Sequence, residues 1–336
     1  NIIQLNINQE SEDNVSYEVD PETGEVEVSF SPEGEMFEME MEVGFDVEGF
    51  YDNLVDTLDE DTLIQIGAEV YDKFEADKAS RSEWESMFER GFDLLGLKLE
   101  ETTEPFEGAA TAVHPLLIES AVKFQSRASQ ELFPSSGPVK TQVLGDATVE
   151  RQRQGNRVQN FMNYQLTEQM PEYFDEFERM LFHLPLIGSA FKKVYFDGSV
   201  DRPVSEFVPI DQFYVSYYAT DLRRADRYTH VLYRSPREIA EGMVSGMYAD
   251  IDLPDPYNPE QSALTEKMDT VLGLSPSSDL DQQYVLLEQH CYLELEDYPT
   301  ACPYIVTIEE SSQKVLSIRR NWNEEDKNKE KKMFFT

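Results

Sequence analysis

Between Gly49 and Pro185 the apolar positions recur every three to four residues, whereas after Phe191 they recur every second one. The first period predicts a run of helices. Phe50, Leu54 and Leu58 share one helical face, and Leu63, Ile66, Val70 and Phe74 share the next, after the acidic break Asp59-Glu60-Asp61. Acids at that break also suit the positive end of a helix dipole. Ser80-Arg81-Ser82-Glu83 has the form of a capping box ahead of Trp84, Met87, Phe88 and Leu95. His114-Pro115 is expected to open a helix carrying Leu117, Ala121, Phe124, Ala128 and Leu132 down one face to a stop at Pro134. Val158, Phe161, Met162 and Leu166 mark another, ended by Pro171, and Phe174, Phe177, Leu181 and Leu184 a shorter one, ended by Pro185.

The second period predicts strands at Phe191–Phe196, Ser205–Val208, Gln212–Ser216 and Arg227–Tyr233. Ser235-Pro236-Arg237-Glu238 then starts a helix expected to reach Met247, because it combines a capping Ser, a first-turn Pro and a Glu three residues on. A Pro- and Ser-rich loop over Pro254–Ser278 separates it from strands at Tyr284–Glu294, Tyr304–Glu309 and Val315–Arg319, the last two joined around Glu310-Ser311-Ser312-Gln313. Asn323–Lys332 reads as a charged loop and Met333–Thr336 as a strand cut short. Ahead of all this, Val15, Tyr17 and Val19 face Val26, Val28 and Phe30 across Asp20-Pro21-Glu22-Thr23-Gly24, a hairpin signal. The fold class expected is α+β, a helical N-terminal half followed by a strand-rich half. Three parts are expected: residues 1–48 as an acidic arm with a β-hairpin, 49–185 as a helical part, and 186–336 as an α+β strand-rich part.

Charge changes the picture. The chain has 336 residues, with 67 acids against 28 bases and a formal net charge of -39. The first base is Lys73, and 22 acids precede it. Such a surface repels phosphate at long range, so tight non-specific gripping of DNA is not expected. Hydrophobic residues at 40% and aromatics at 12% suffice for a core. No apolar run is long enough to span a membrane; Leu181–Phe191 is broken by His183, Pro185 and Gly188. The start NIIQLNINQE lacks both Met and a basic leader, so a trimmed start and an intracellular origin are expected.

Candidate chemistry is sparse. Cys291 and Cys302 are too few for a disulfide framework or a zinc site, and are read as reduced, partly buried thiols. His114, His183, His230 and His290 form no metal-binding motif with their neighbours. Asp250, Asp252 and Asp255 lack the Gly and distal Glu of a calcium loop. There is no Gly-rich phosphate loop, so no cofactor is expected. The one concentration of bases is Lys123, Arg127, Lys140, Arg151, Arg153 and Arg157. These six are the candidate contacts to phosphate or to a neighbouring subunit; the plainer reading is a solvated helix face with partners such as Glu150. Along the linear sequence aromatics do not interleave with them, so a stacking platform for single strands is not expected.

Four stretches carry a family resemblance: SRSEWESMFERGFDLLGLK, HPLLIESAVKFQSRASQELFPSSGPVK, RVQNFMNYQLTEQMPEYFDEFERMLFHLPLIGSAFKKVYFD and YIVTIEESSQKVLSIRRNW. They resemble the portal, or head-to-tail connector, proteins of tailed double-stranded DNA bacteriophages, from about Phe50 to Thr336. The resemblance implies a portal wing leading toward a stem, with stem and clip beyond residue 336. It implies a structural, non-enzymatic subunit of a twelve-membered homo-oligomeric ring at one capsid vertex of the virion, assembled in the host cytoplasm. The implied partners are the major capsid protein, the terminase large subunit, tail adaptor proteins and double-stranded DNA passing through the channel, with no membrane. The alternatives are an acidic interaction or scaffold module that mimics DNA, and a carboxylate metal-dependent nuclease.

Overall fold

The computed structural model describes residues 15–19, 26–30, 49–93, 116–198, 200–257, 265–268, 282–295, 298 and 300–336. The expected helix start at His114-Pro115, Leu95, and most of the Pro- and Ser-rich loop lie outside them. Two compact units are present, Asn1–Gly49 and Phe50–Thr336. In the first, β1 (Val15–Val19) pairs antiparallel with β2 (Val26–Phe30), in a register that sets Val15 opposite Phe30 and Val19 opposite Val26.

The second unit is mixed α+β, with its helices mostly first and its strands mostly last. Its core is an antiparallel five-stranded sheet in the order β5-β6-β7-β8-β9, built from Phe213–Val215, Tyr228–Arg234, Tyr284–Leu293, Cys302–Glu309 and Val315–Arg320. The helix α1 (Glu60–Ser80) covers one face, seating Ile66, Val70 and Phe74 among Leu287, Tyr304, Val306, Ile308, Ile318 and Trp322. The other face holds Leu286 and Leu316 against Ile239 of α6 (Pro236–Val244) and against Tyr248. Residues alternate between the two layers along each strand, which is why the period-two pattern was readable.

Polar contacts fix this packing. Asp77 of α1 takes a bidentate pair from Arg227 at 2.7 and 2.8 Å. Arg81, at the end of α1, donates to the carbonyls of Ile210 and Phe213 at 2.9 and 2.8 Å and stacks over Tyr214. Asn53 behaves as a substitute strand at the β9 edge: its amide donates to the Leu316 carbonyl at 2.9 Å and accepts from Ile318 N–H at 3.0 Å. That edge is thereby closed to further pairing.

A second layer carries the remaining helices. The hairpin β3 (Phe191–Asp197) and β4 (Arg202–Val208) receives α5 (Glu172–Ile187), where Glu176 accepts from Phe207 N–H and Glu172 pairs with Arg202. Helix α2 (Ser82–Asp93) meets the end of α5 through Phe92 and Ile187. The expected short strand near 333–336 is a single bridge, Lys193 to Phe335, with backbone bonds between Lys192 and Thr336.

Three expectations are corrected. Phe50, Leu54 and Leu58 do not lie on an α-helix; only a short 3-10 turn forms, Leu54–Thr57, because Asn53 caps it and is engaged with β9. Ser80 does not begin a capping box; it is the last residue of α1, and its hydroxyl turns back to the Asp77 carbonyl. Helix α5 runs through Pro185 to Ile187; the Gly188 N–H still bonds the Leu184 carbonyl, and the left-handed φ of 83° at Gly188 then turns the chain out of the helix. By contrast the capping box at Ser235 forms in full, with Glu238 returning to the Ser235 N–H.

Candidate functional site

The six candidate bases fall on α3 (Leu116–Leu132), on α4 (Val149–Tyr164), and on the segment between them. On α3, Ala121, Gln125 and Ala128 lie on one side, and Gln125 donates to the Glu178 carbonyl of α5. At its end Phe133 packs edge-on against Phe174 and Phe177. Lys123 and Arg127 lie on the opposite side, where Lys123 pairs with Glu119 one turn back.

Helix α4 is held differently. The segment after Gly137 doubles back along it as a strap. Asn163 Oδ1 accepts from Val139 N–H at 2.9 Å and its Nδ2 donates to the Val139 carbonyl at 3.2 Å. One turn back, Gln159 accepts from Thr141 N–H, and a further turn back the Gly155 carbonyl accepts from the Thr141 hydroxyl. Gly137 is required at the head of the strap: its φ is +92°, and a Cβ there would come 2.5 Å from the Asn163 side chain. The stripe Gly155-Gln159-Asn163 is therefore the inward side of α4, held by hydrogen bonds and not by apolar packing, and no residue of this helix is buried.

The opposite stripe follows from the helical period. Arg153, Arg157, Phe161 and Tyr164, at i, i+4, i+8 and i+11, face away from the strap. All four are exposed; Phe161 retains 59% of its accessible surface and Tyr164 53%. Val158 and Met162, further round the helix toward the strap, are exposed as well. Arginine and aromatic side chains thus share one outward stripe, which corrects the expectation that aromatics stand apart from the bases; helical spacing, not linear order, brings them together. Arg151 turns aside and donates to the Asp146 carbonyl at 3.2 Å, and Lys140 sits on the strap. Arg127, Lys140, Arg153 and Arg157 have no ion pair among the described residues. The local charge also departs from the chain's acidic average: residues 116–165 hold six bases and four acids.

One buried cluster of titratable groups lies elsewhere. Glu288 accepts from Lys193 at 2.7 and 2.8 Å and from His290 Nε2 at 3.1 Å. That contact places the imidazole proton on Nε2 and leaves Nδ1 facing the Tyr228 hydroxyl at 3.3 Å. Burial alone would raise the Glu288 carboxyl, but Lys193 and His290 outweigh it and hold it well below the usual range. Burial lowers His290, and lowers His230 to about 3. The Phe335 ring, bridged to Lys193, lies against His290 and His230. The arrangement joins β3, β6, β7 and the Phe335 bridge by charge and stacking; Glu288, Lys193 and His290 are committed to one another, while His230 Nδ1 has no hydrogen-bond partner among the described residues.

Cys291 and Cys302 are free and buried, on adjacent strands where Cys291 stands opposite Tyr304 and Cys302 opposite Leu293. Burial pushes the Cys291 thiol up to about 12, which makes it a poor nucleophile. Among the described residues no three His, Cys, Asp or Glu side chains are grouped to hold a metal ion, and no helix is long and apolar enough to cross a membrane. His114 lies outside the described residues. Compared with known protein families and with curated proteins, the chain matches no family model and no protein.

Proposed function

We propose that this chain is a structural subunit of a portal-type ring, assembled in a host cytoplasm and resident at one vertex of a phage capsid, where it conducts double-stranded DNA. In this reading residues 50–336 are wing material, and the ring, of about twelve copies by analogy with portals, engages the major capsid protein, then the terminase large subunit, then tail adaptors. The observation that carries the reading is the outward stripe of α4, Arg153-Arg157-Phe161-Tyr164, on a helix with no buried residue. Arginine and aromatic side chains exposed together are what protein interfaces use as anchors. The four resembling stretches, which include Arg157, Phe161 and Tyr164 of the stripe, support the same reading.

The charge is consistent with it. A chain with a net charge of -39 lets DNA pass without holding it, since no dense cation surface is available to release counterions. The reading assigns no catalysis to the chain and no cofactor. A second reading, an acidic module that mimics DNA, is favoured by the 22 acids that precede Lys73. Electron microscopy of particle-derived protein separates the two. Closed rings with a central channel support the portal reading. A discrete monomer that competes with DNA for a DNA-binding protein supports the mimic. Magnesium-dependent cleavage of DNA by the purified chain would overturn both.

A further inference from the structure

We infer that the α4 stripe docks on the start of α1 of a second copy of this chain, joining copies head to tail. The inference deepens the ring reading by naming the contact between neighbours.

The stripe offers two cations, Arg153 and Arg157, beside two exposed rings, Phe161 and Tyr164. Between residues 149 and 165 there are three bases and one acid. The complement is present on the same molecule. At the start of α1, Asp56, Glu60 and Asp61 are exposed, and Ile64, one turn after Glu60 and Asp61, retains 63% of its accessible surface. Exposed acids thus flank an exposed apolar side chain on α1, as exposed bases flank exposed rings on α4. Neither helix is held in its own fold by these side chains: α1 buries Ile66, Val70 and Phe74, and α4 is held through Gly155, Gln159 and Asn163.

The two faces belong to different elements, so the contact is heterologous and each copy keeps one free face of each kind. Repetition then gives a ring, if the rotation closes, or an open chain. Nucleic acid fits the stripe less well. Two arginines neutralise few phosphates, and the net charge of the chain repels them. An acidic protein surface with an apolar centre satisfies every group on the stripe.

The test is a charge swap in the full chain, read by sedimentation velocity at low salt. The wild type should associate, and the association should weaken as salt rises. R153E/R157E and E60K/D61K should each associate at least roughly thirtyfold more weakly, as loss of anchoring charges at an interface implies. An equimolar mixture of the two variants should associate again, because each α4 then meets an α1 of opposite charge. Circular dichroism melts of R153E/R157E should match the wild type, since neither arginine is buried. E60K/D61K should melt slightly lower because it reverses the charge at the start of α1, while remaining folded at the assay temperature.

A wild type that stays monomeric, variants that associate as it does, or a mixture that fails to recover would each overturn the inference. So would a monomeric wild type that binds a fluorescent DNA duplex through Arg153 and Arg157. Rings seen by microscopy that survive both reversals sink this contact and leave the ring reading standing. Swap-dependent association into open chains without closed rings supports the contact and sinks the ring reading.

Discussion

Glu309 and Lys192 show two fates of a buried charge. Glu309 has no exposed surface, yet its carboxylate accepts from the backbone and hydroxyl of both Ser311 and Ser312, so the β8–β9 turn itself replaces water. Lys192 lies on β3 beneath α5, where its ammonium has no hydrogen-bond partner among the described residues and rests over the rings of Tyr173 and Phe177. Burial lowers its pKa to about 8, with Glu176 and Glu172 opposing in part. Lys192 is therefore a net cost to folding at neutral pH. Below pH 8 the folded state holds a charge that the unfolded state holds more easily, and the cost fades as pH rises from 8 toward the ordinary lysine value. Lys192→Met should stabilise the protein by about 1 to 3 kcal/mol at pH 7, with the gain shrinking toward pH 10.5, measured by urea denaturation across pH.

The histidines give a slope of the same sign on the acid side. Burial lowers His183, His230 and His290, so in each the unfolded state takes up a proton first as pH falls. Stability from these groups is fully present above about 6.5 and drains as pH drops toward the folded value of His230, about 3. Melting temperatures that stay level between pH 7 and pH 4 would contradict the assignment. Gly67 is a steric case. A Cβ there would come 2.1 Å from the Gln313 backbone carbonyl, which cannot yield as a side chain could. Gly67→Ala should cost about 3 kcal/mol by forcing α1 away from the β8–β9 turn, read as a lower denaturation midpoint.

At the level of elements, what was legible in the sequence was whatever depends on near neighbours. Alternation along β7, β8 and β9 and the box at Ser235 are local patterns, and the structure contains both. What was illegible depends on distant partners. Asn53 turns Leu54–Thr57 into a cap on β9, 263 residues away in sequence, so apolar spacing there misled. Pro185 passed as a helix end because a proline costs one hydrogen bond; the stop comes at Gly188, where the left-handed turn is available. Phe335 packs under His290 and Tyr228 by pairing with Lys193, a non-local bond that no window of sequence shows.

The candidate stripe on α4 was half legible. Arg153 and Arg157 stood out as bases, but Phe161 and Tyr164 joined them only once the strap fixed which side of the helix faces in. Two variants separate these roles. Asn163→Ala removes both strap bonds to Val139 and should cost about 1 to 2 kcal/mol, with faster amide exchange at Val139 and Thr141. R153E/R157E should leave stability within about 0.5 kcal/mol of the wild type. A large loss of stability in the second variant would place those arginines in the fold and not on its outer surface.

For the whole molecule, the sheet and α1 form a closed core while α4 turns its arginines and rings outward, and the charge of the chain is distributed to match. Acids crowd the first 72 residues, which hold no base, whereas residues 116–165 hold six bases and four acids. A copy carrying both faces is suited to meeting another copy, and the portal-type reading takes that meeting to be a ring. The most direct measurement is single-particle electron microscopy of the full chain recovered from assembled particles. The account predicts closed rings with a central channel, in which α4 of each subunit lies against its neighbour. A population of isolated subunits, or rings in which Phe161 and Tyr164 face solvent, would contradict it.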